Sequence, residues 1–263
     1  MTLGRFGWLL LFAASLAFGQ DRWQLAWSDE FNGPAGSAPD VTKWTYDLGA
    51  TGWGNRELEN YTDSRRNAFL DGNGNLVIRA LKTAEGYTSA RLKTQGRFTF
   101  TYGKVEARIR IPFGQGIWPA FWMLGANIDT VHWPRCGELD IMENIGREPA
   151  TVHATVHGPG YSGGHGIGRP YELPAGGKFA DEFHVFTVIW QPDRIEFQVD
   201  GVMDHQVSRA SIPEHAAWVF DAPMYLLLNL AVGGNWPGNP DAATVFPQEM
   251  RVDYVRVYRP AKP

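Results

Sequence analysis

Three carboxylates crowd into six residues of the segment GELDIMENIG (137–146): Glu138, Asp140 and Glu143. Like charges this close repel one another, and removing them from water is costly. A solvated loop would relieve them, but the intervening residues are Leu139, Ile141 and Met142, which belong in a strand. A bound calcium ion would relieve them too, yet the segment lacks the glycine and the Asn/Asp oxygens of a calcium loop. The third use is chemical. Retaining hydrolysis of a glycosidic bond takes a nucleophilic carboxylate and an acid/base carboxyl about 5–5.5 Å apart.

Regular strand geometry opposes that use. Side chains alternate, so Glu138 and Asp140 share one face while Glu143 points to the other. One extra residue corrects the phase, and a β-bulge supplies one. The spacing therefore predicts a bulge around Ile141–Met142. The two Glu would then stand like i and i+4, with Cα atoms ~13 Å apart at ~3.3 Å per residue. Their side chains would lean together across Asp140, with carboxyls about 5–7 Å apart. Asp140 would deter both neighbours from ionising at once, helping one Glu keep its proton.

Tryptophans gather around the same segment. GIWPAFWML places Trp118 and Trp122 on one face of a strand, with Phe121 on the other. Trp53 in GWGN, Trp133 just before the trio and Trp236 in GGNWPG complete the set. Pyranose C–H faces stack on indole, and the indole N–H can donate to a hydroxyl. Core packing claims some of the 11 Trp, but the set as a whole suits a sugar site. Cys136, the single cysteine, abuts the trio. No histidine spacing pairs with it, so it reads as a packing residue.

The elements that must position these groups are strands. KVEARIRI (104–111) alternates, with Val105, Ala107, Ile109 and Ile111 on one face. IEFQVD (195–200) alternates and ends at Asp200-Gly201, a hairpin turn. Leu76–Leu81 follows the turn cluster Asp71-Gly72-Asn73-Gly74. Phe186–Trp190, Tyr225–Leu230 and Val252–Tyr258 are further apolar strands, and no amphipathic helix longer than ten residues is evident. Many short strands separated by turns predict an all-β sandwich.

Composition narrows the class further. With 263 residues, 44% hydrophobic and 20% charged, the chain is a folded globular protein with material for a large core. A net charge of −4 without like-charge blocks gives nucleic acid and anionic membranes little to hold. Residues 1–19 carry Arg5, a short apolar run and the small residues Ala17 and Gly19 around Phe18. This is the pattern of a secretory signal peptide cleaved near residue 19, the run being short for a membrane span. The mature chain, 20–263, is expected to be one domain, free of membrane, monomeric, and secreted or periplasmic.

Glu138-Leu-Asp140-Ile-Met-Glu143 resembles the ExDxxE active-site strand of family 16 glycoside hydrolases, in particular laminarinases (endo-β-1,3-glucanases). The likeness also runs through WSDEFNG (27–33), WGNRELENYT (53–62), GRFTFTYGKVEARIRIP (96–112), GIWPAFWML (116–124), WPRCGELDIMENIG (133–146), NLAVGGNWPG (229–238) and MRVDYVRVY (250–258). It implies a concanavalin-like β-jelly-roll sandwich of two curved antiparallel sheets. It also implies retaining cleavage of β-glucan, with Glu138 as nucleophile, Glu143 as acid/base and Asp140 assisting. No cofactor is implied for catalysis.

The resemblance gives the neighbours roles as well. Asn55 and Arg91 match residues that contact sugars on the non-reducing side of the cut. His157 is expected on the adjoining strand near Asp140, and His153 shares its parity. Trp118, Trp122, Trp133 and Trp236 would line the substrate. From the residues themselves, Glu57 and Glu59 in RELEN read as loop or structural carboxylates and not catalytic ones. Asp253, a carboxylate among valines, needs a partner. The resemblance suggests a structural calcium ion there, completed by oxygens, chiefly main-chain, near Glu30 and Gly74. Rival functions are mixed-linkage β-1,3-1,4-glucan or galactan hydrolysis on the same fold, and a non-catalytic glucan-binding protein, which would be expected to lack the acidic pair.

Overall fold

The computed structural model describes residues 23–261, so the expected signal peptide lies outside the described residues. Seventeen strands form two stacked sheets. One sheet holds β1 (Trp23–Asp29), β3 (Glu59–Tyr61), β4 (Ala68–Leu70), β5 (Leu76–Thr83), β6 (Gly86–Ser89), β8 (Gly103–Arg110), β13 (His184–Gln191), β14 (Arg194–Val199), β15 (Val202–Ser208) and β17 (Gln248–Pro260). The other runs β12 (Ile167–Glu172), β11 (Thr151–His157), β10 (Glu138–Glu143), β9 (Ile117–Gly125), β16 (Met224–Val232), β7 (Arg91–Lys93) and β2 (Thr45–Asp47). Every pairing is antiparallel except β3 with β6. The one α-helix among the described residues is a single turn, Ile128–Val131.

Period-two patterning builds this architecture. In β8, Val105, Ala107 and Ile109 are fully buried between the sheets while Lys104, Glu106 and Arg108 face outward. The expected hairpin after Val199 is present, with Asp200 (φ 51°) and Gly201 (φ 77°) both left-handed, the backbone a two-residue turn requires. β16 lies near the middle of its sheet and is buried along its whole length, which explains its nearly continuous apolar sequence. The principal core fills the space between the sheets with residues such as Phe121, Leu139, Met142, Val188 and Leu228. At ~25 cal/mol per Å² each such side chain contributes roughly 1.5–3 kcal/mol. That stabilisation supports a second, polar layer on the outer face of the seven-stranded sheet.

Candidate active site

β10 carries the predicted irregularity. Against β9, Asp140 pairs with Trp122 and Met142 with Phe121, leaving Ile141 as the extra residue. Against β11 the register shifts between Asp140 and Glu143. Leu139, Ile141 and Met142 all join the core, two of them consecutive in sequence. Burial of both Ile141 and Met142 is the force that sets the bulge, and its result is that Glu143 emerges on the same face as Glu138 and Asp140.

β11 supplies the facing row. His157 lies opposite Glu138, Thr155 opposite Asp140 and His153 opposite Glu143. His157 Nε2 is 3.1 Å from Asp140 Oδ2 and 3.7 Å from Glu138 Oε1. The Asp140 contact is off-line for a hydrogen bond, so Oδ2 is buried without one, as is His157 Nδ1. Two indoles mark the ends of the trio. Trp133 Nε1–H donates to Glu138 Oε2 at 2.8 Å, and Trp118 Nε1–H donates to Glu143 Oε1 at 3.0 Å. Trp236 packs edge-on against Trp118 at 5.6 Å and against His153 at 4.9 Å.

Burial dominates the electrostatics here. Burial first, then the Asp140 charge, pushes Glu138 up to about 8, opposed by His157, the Trp133 hydrogen bond and Arg91. Burial raises Asp140 to about 8. Glu143 is held well above the usual carboxyl range by burial, then by Asp140 and Glu138, against His157 and Trp118. Burial and two neighbouring carboxylates thus favour the protonated form of Glu143, while Glu138 accepts the Trp133 N–H and lies 3.7 Å from His157. Burial lowers His153, favouring its neutral form. Cys136 is buried, and its thiol is pushed up to about 11, so it is a packing residue beside the trio and no thiolate.

The expected sugar-contacting residues extend along the same sheet. Arg91 lies on one rung with Glu143, pairing through Asn229 and Ala120. Its guanidinium sits between the rings of Trp53 (4.9 Å) and Trp122 (4.6 Å) and pairs with Asp47 at 2.9 Å. Lys93 meets the other Asp47 oxygen at 2.6 Å. Asn55 is half-buried, donates to Glu57 Oε1 at 3.0 Å and accepts through its carbonyl from Asn235 N–H at 2.7 Å. Trp122 Nε1–H donates to Asn229 Oδ1 at 2.7 Å.

Sequence reading missed several supports. Asp47 and Asn229 hold Arg91 and Trp122; the polar Asn229 inside an apolar strand was the clue to the second. Gly166 is the other omission. A Cβ there would meet His157 Cε1 at 2.3 Å and Nδ1 at 2.6 Å, so only glycine lets this chain segment lie against the His157 ring. One glycine among 30 carries no such mark in sequence.

The partner that Asp253 requires is Arg108, which donates to its Oδ2 at 2.7 Å. Glu30 is gripped by Arg256 through both oxygens, at 3.1 and 2.8 Å. Both carboxylates are thus held by arginines. The segments themselves do converge, since Asp29 pairs with Val255 and Leu76 with Val252. Among the described residues, the one His/carboxylate group with ligand atoms within 4.8 Å is Glu138, Asp140 and His157.

Two stacked sheets carrying buried carboxyls and indoles on one outer face define a class, the jelly-roll enzymes that cut polysaccharides. The family follows from comparison: residues 57–256 match the model of glycosyl hydrolases family 16, and the chain belongs to that family. A β-glucanase of Rhodothermus marinus is 42% identical over 252 residues, covering 90% of this chain and 85% of that protein. The structure of an endo-β-1,3-glucanase from Pyrococcus furiosus superimposes with a TM-score of 0.86 at 52% identity, covering 92% of this chain and 96% of that one. The laminarinase catalytic domain of Thermotoga maritima superimposes equally well, with a TM-score of 0.86 at 49% identity, covering 92% and 100%.

Proposed function

We propose that this glycoside hydrolase is an endo-acting, retaining β-1,3-glucanase for laminarin-like glucans, with Glu138 as nucleophile and Glu143 as acid/base. The observation that carries the reading is the extra residue Ile141, which turns Glu143 to the face of Glu138 and Asp140. The relatives named for β-1,3-glucan cleavage support the linkage.

In the first step the Glu143 carboxyl gives its proton to the glycosidic oxygen while a Glu138 oxygen attacks C1. The C1–O bond breaks, the shortened glucan leaves, and the glycosyl unit is held as an ester on Glu138. In the second step Glu143, now a carboxylate, takes a proton from water, whose oxygen attacks C1 and releases Glu138. Two inversions give net retention. The electrostatics suit this division. The charge that leaves Glu138 on esterification lowers the repulsion on Glu143, so Glu143 becomes a stronger acid as the ester forms, gives its proton to the departing oxygen and stays a carboxylate ready to act as base. Trp133 holds the attacking carboxylate and Trp118 steadies the ionised form of Glu143. Asp140 and His157 set the charge between them. Trp53, Trp122 and Trp236 offer ring faces and edges to the sugars, with Arg91 and Asn55 binding hydroxyls on the non-reducing side.

Digestion of laminarin, curdlan, lichenan and agarose side by side, with Glu138→Gln as control, tests this. Cleavage of the β-1,3 substrates and its loss in the variant are expected. Cleavage of agarose alone would overturn the substrate, and full activity in Glu138→Gln would overturn the mechanism. Three subsidiary readings accompany it. The chain is exported with removal of residues 1–19, checked by the intact mass of the exported protein. It works as a monomer, checked by light scattering. A calcium ion on Asp253 and the main chain near Glu30 and Gly74 stiffens the sheet end, checked by Tm with and without chelator; an unchanged Tm removes it.

A further inference from the structure

Glu57 and Glu59 lie outside the trio, yet Glu59 is one of the most deeply placed charged side chains in the fold, with no exposure at all. Its Oε2 accepts the Val232 N–H at 2.6 Å, while Oε1 is buried with no donor to accept from. Among the described residues no cation is ion-paired with it, and Glu57, two residues along the chain, is the nearby carboxylate whose charge acts on it. Glu57 in turn accepts from Asn55 Nδ2 at 3.0 Å and from the Tyr61 hydroxyl at 3.1 Å. A buried acceptor with nothing to accept is costly, and two carboxylates in contact are costlier. One proton on Glu59 Oε1 removes both problems, because it turns the orphan acceptor into a donor and cancels one of the two neighbouring charges.

We propose that Glu57 and Glu59 share this proton, Glu59 donating through Oε1, and that the pair positions Asn55 and the 53–59 loop for sugar binding. The inference rests on the reading that Asn55 contacts substrate. The network continues from Glu57 through Tyr61 to Asn229, whose Nδ2 donates to the Tyr61 oxygen at 3.2 Å and whose Oδ1 holds Trp122. The backbone runs in parallel: Leu58 N–H bonds Val232 O and Asn235 N–H bonds Asn55 O, tying the loop to the segment that carries Trp236. The titratable groups around the pair are Tyr61, Arg91 and, beside Glu59 in the parallel pairing with β6, Tyr87. Tyr61 is buried on the same strand, and Arg91 from β7, already paired with Asp47, acts on Tyr61. From β16 only neutral groups face it, Asn229 and the Val232 amide. Burial followed by the Glu57 charge raises Glu59 to about 9, consistent with a proton retained at neutral pH. Loss of that proton would leave two charges in one buried pocket and loosen the loop. Glu59 and Glu57 are positioning residues, so the effect falls on substrate binding, while the trio on β10 sets the chemistry.

Glu59→Gln tests the idea, because its amide donates to Glu57 and accepts from Val232 without a proton to lose. The wild-type KM for a laminari-oligosaccharide should rise about tenfold between pH 7 and pH 10 relative to that of Glu59→Gln, the worth of one charge-assisted hydrogen bond, while kcat follows the trio's own pH profile alike in both proteins. In Glu59→Gln the KM should stay flat across that range. Infrared difference spectra at pH 7 should show a protonated carboxyl in the wild type that is absent from Glu59→Gln. A KM profile in Glu59→Gln that overlays the wild type, or identical carboxyl spectra, overturns the proposal. The infrared measurement decides the shared proton even if neither protein cleaves a β-glucan, so a failure of the activity reading is seen separately.

Discussion

Replacing Trp133 by Phe isolates one hydrogen bond at the reacting carboxylate. Trp133 Nε1–H is the only side-chain donor hydrogen-bonded to Glu138 among the described residues, at 2.8 Å. A hydrogen bond to an ionised group nets about 1.5–3 kcal/mol. Trp133 is 45% exposed, so solvent competes and the lower end, about 1.5 kcal/mol, applies. At 1.36 kcal/mol per pK unit that corresponds to about one pH unit. The sign follows from the charge: the indole stabilises the carboxylate, its loss favours the acid, and Glu138 attacks only when ionised. The acid limb of kcat/KM should therefore move about one unit to higher pH, with activity below the limb falling about tenfold. Phe keeps an aromatic face, so any loss of sugar stacking lowers the whole profile by a pH-independent factor and leaves the limb where it is. The limb belongs to the coupled trio, and the comparison between the two proteins is what counts. The assay is the pH profile of kcat/KM on a defined laminari-oligosaccharide. An unmoved acid limb, or a shift confined to the alkaline limb, would refute the reasoning.

Three further outcomes follow from the same geometry. Gly166→Ala should displace the His157 ring from Asp140 and lower kcat about tenfold, with a stability loss of about 1–3 kcal/mol from overpacking; wild-type kcat would show that the ring position is immaterial. Deleting Ile141 should leave Glu138, Asp140 and Glu143 at i, i+2 and i+4, all on one face of a regular strand, so glucan cleavage should survive in the deletion variant, whereas inserting a second residue beside Ile141 should turn Glu143 toward the core and lower cleavage by at least ~10²-fold; an active insertion variant would mean that strand phase is not what orients Glu143. Glu59 stays protonated when folded and ionises when unfolded, so its contribution is complete below the unfolded pKa and is lost as pH rises toward the folded value near 9. Glu59→Gln should consequently flatten the fall in stability above pH 5, by up to about 1.4 kcal/mol per pH unit, measured by urea unfolding at several pH values; parallel slopes would contradict it.

The sequence made the local geometry legible because it is written in short periods. The alternation in 104–111 matches the buried face of β8, and the clash between the ExDxxE spacing and that same alternation located the bulge. Trp118 and Trp122 share a face for the same reason, while Phe121 enters the core. What escaped were partners far apart in the chain. Arg108 meets Asp253 across 145 residues, and Arg256 meets Glu30 across 226. Nothing local distinguishes those arginines from solvated ones, so the partner that Asp253 needs was not legible in sequence. Glu59 reads as an ordinary polar residue in RELEN, and its burial becomes visible only when Val232, 173 residues away, closes over it. Gly166 was silent because close approach leaves no pattern.

Azide rescue with an activated aryl β-glycoside of laminaribiose tests the roles of the two glutamates most directly. If Glu138 is the nucleophile, Glu138→Gly should let azide attack C1 in its place and give the α-glycosyl azide by proton NMR. If Glu143 is the acid/base, Glu143→Gly should still form the ester on Glu138, which azide then opens to the β-glycosyl azide. An α-azide from the first variant and a β-azide from the second is the predicted pair; the reverse pair, or no azide product from either variant, would contradict the assignment.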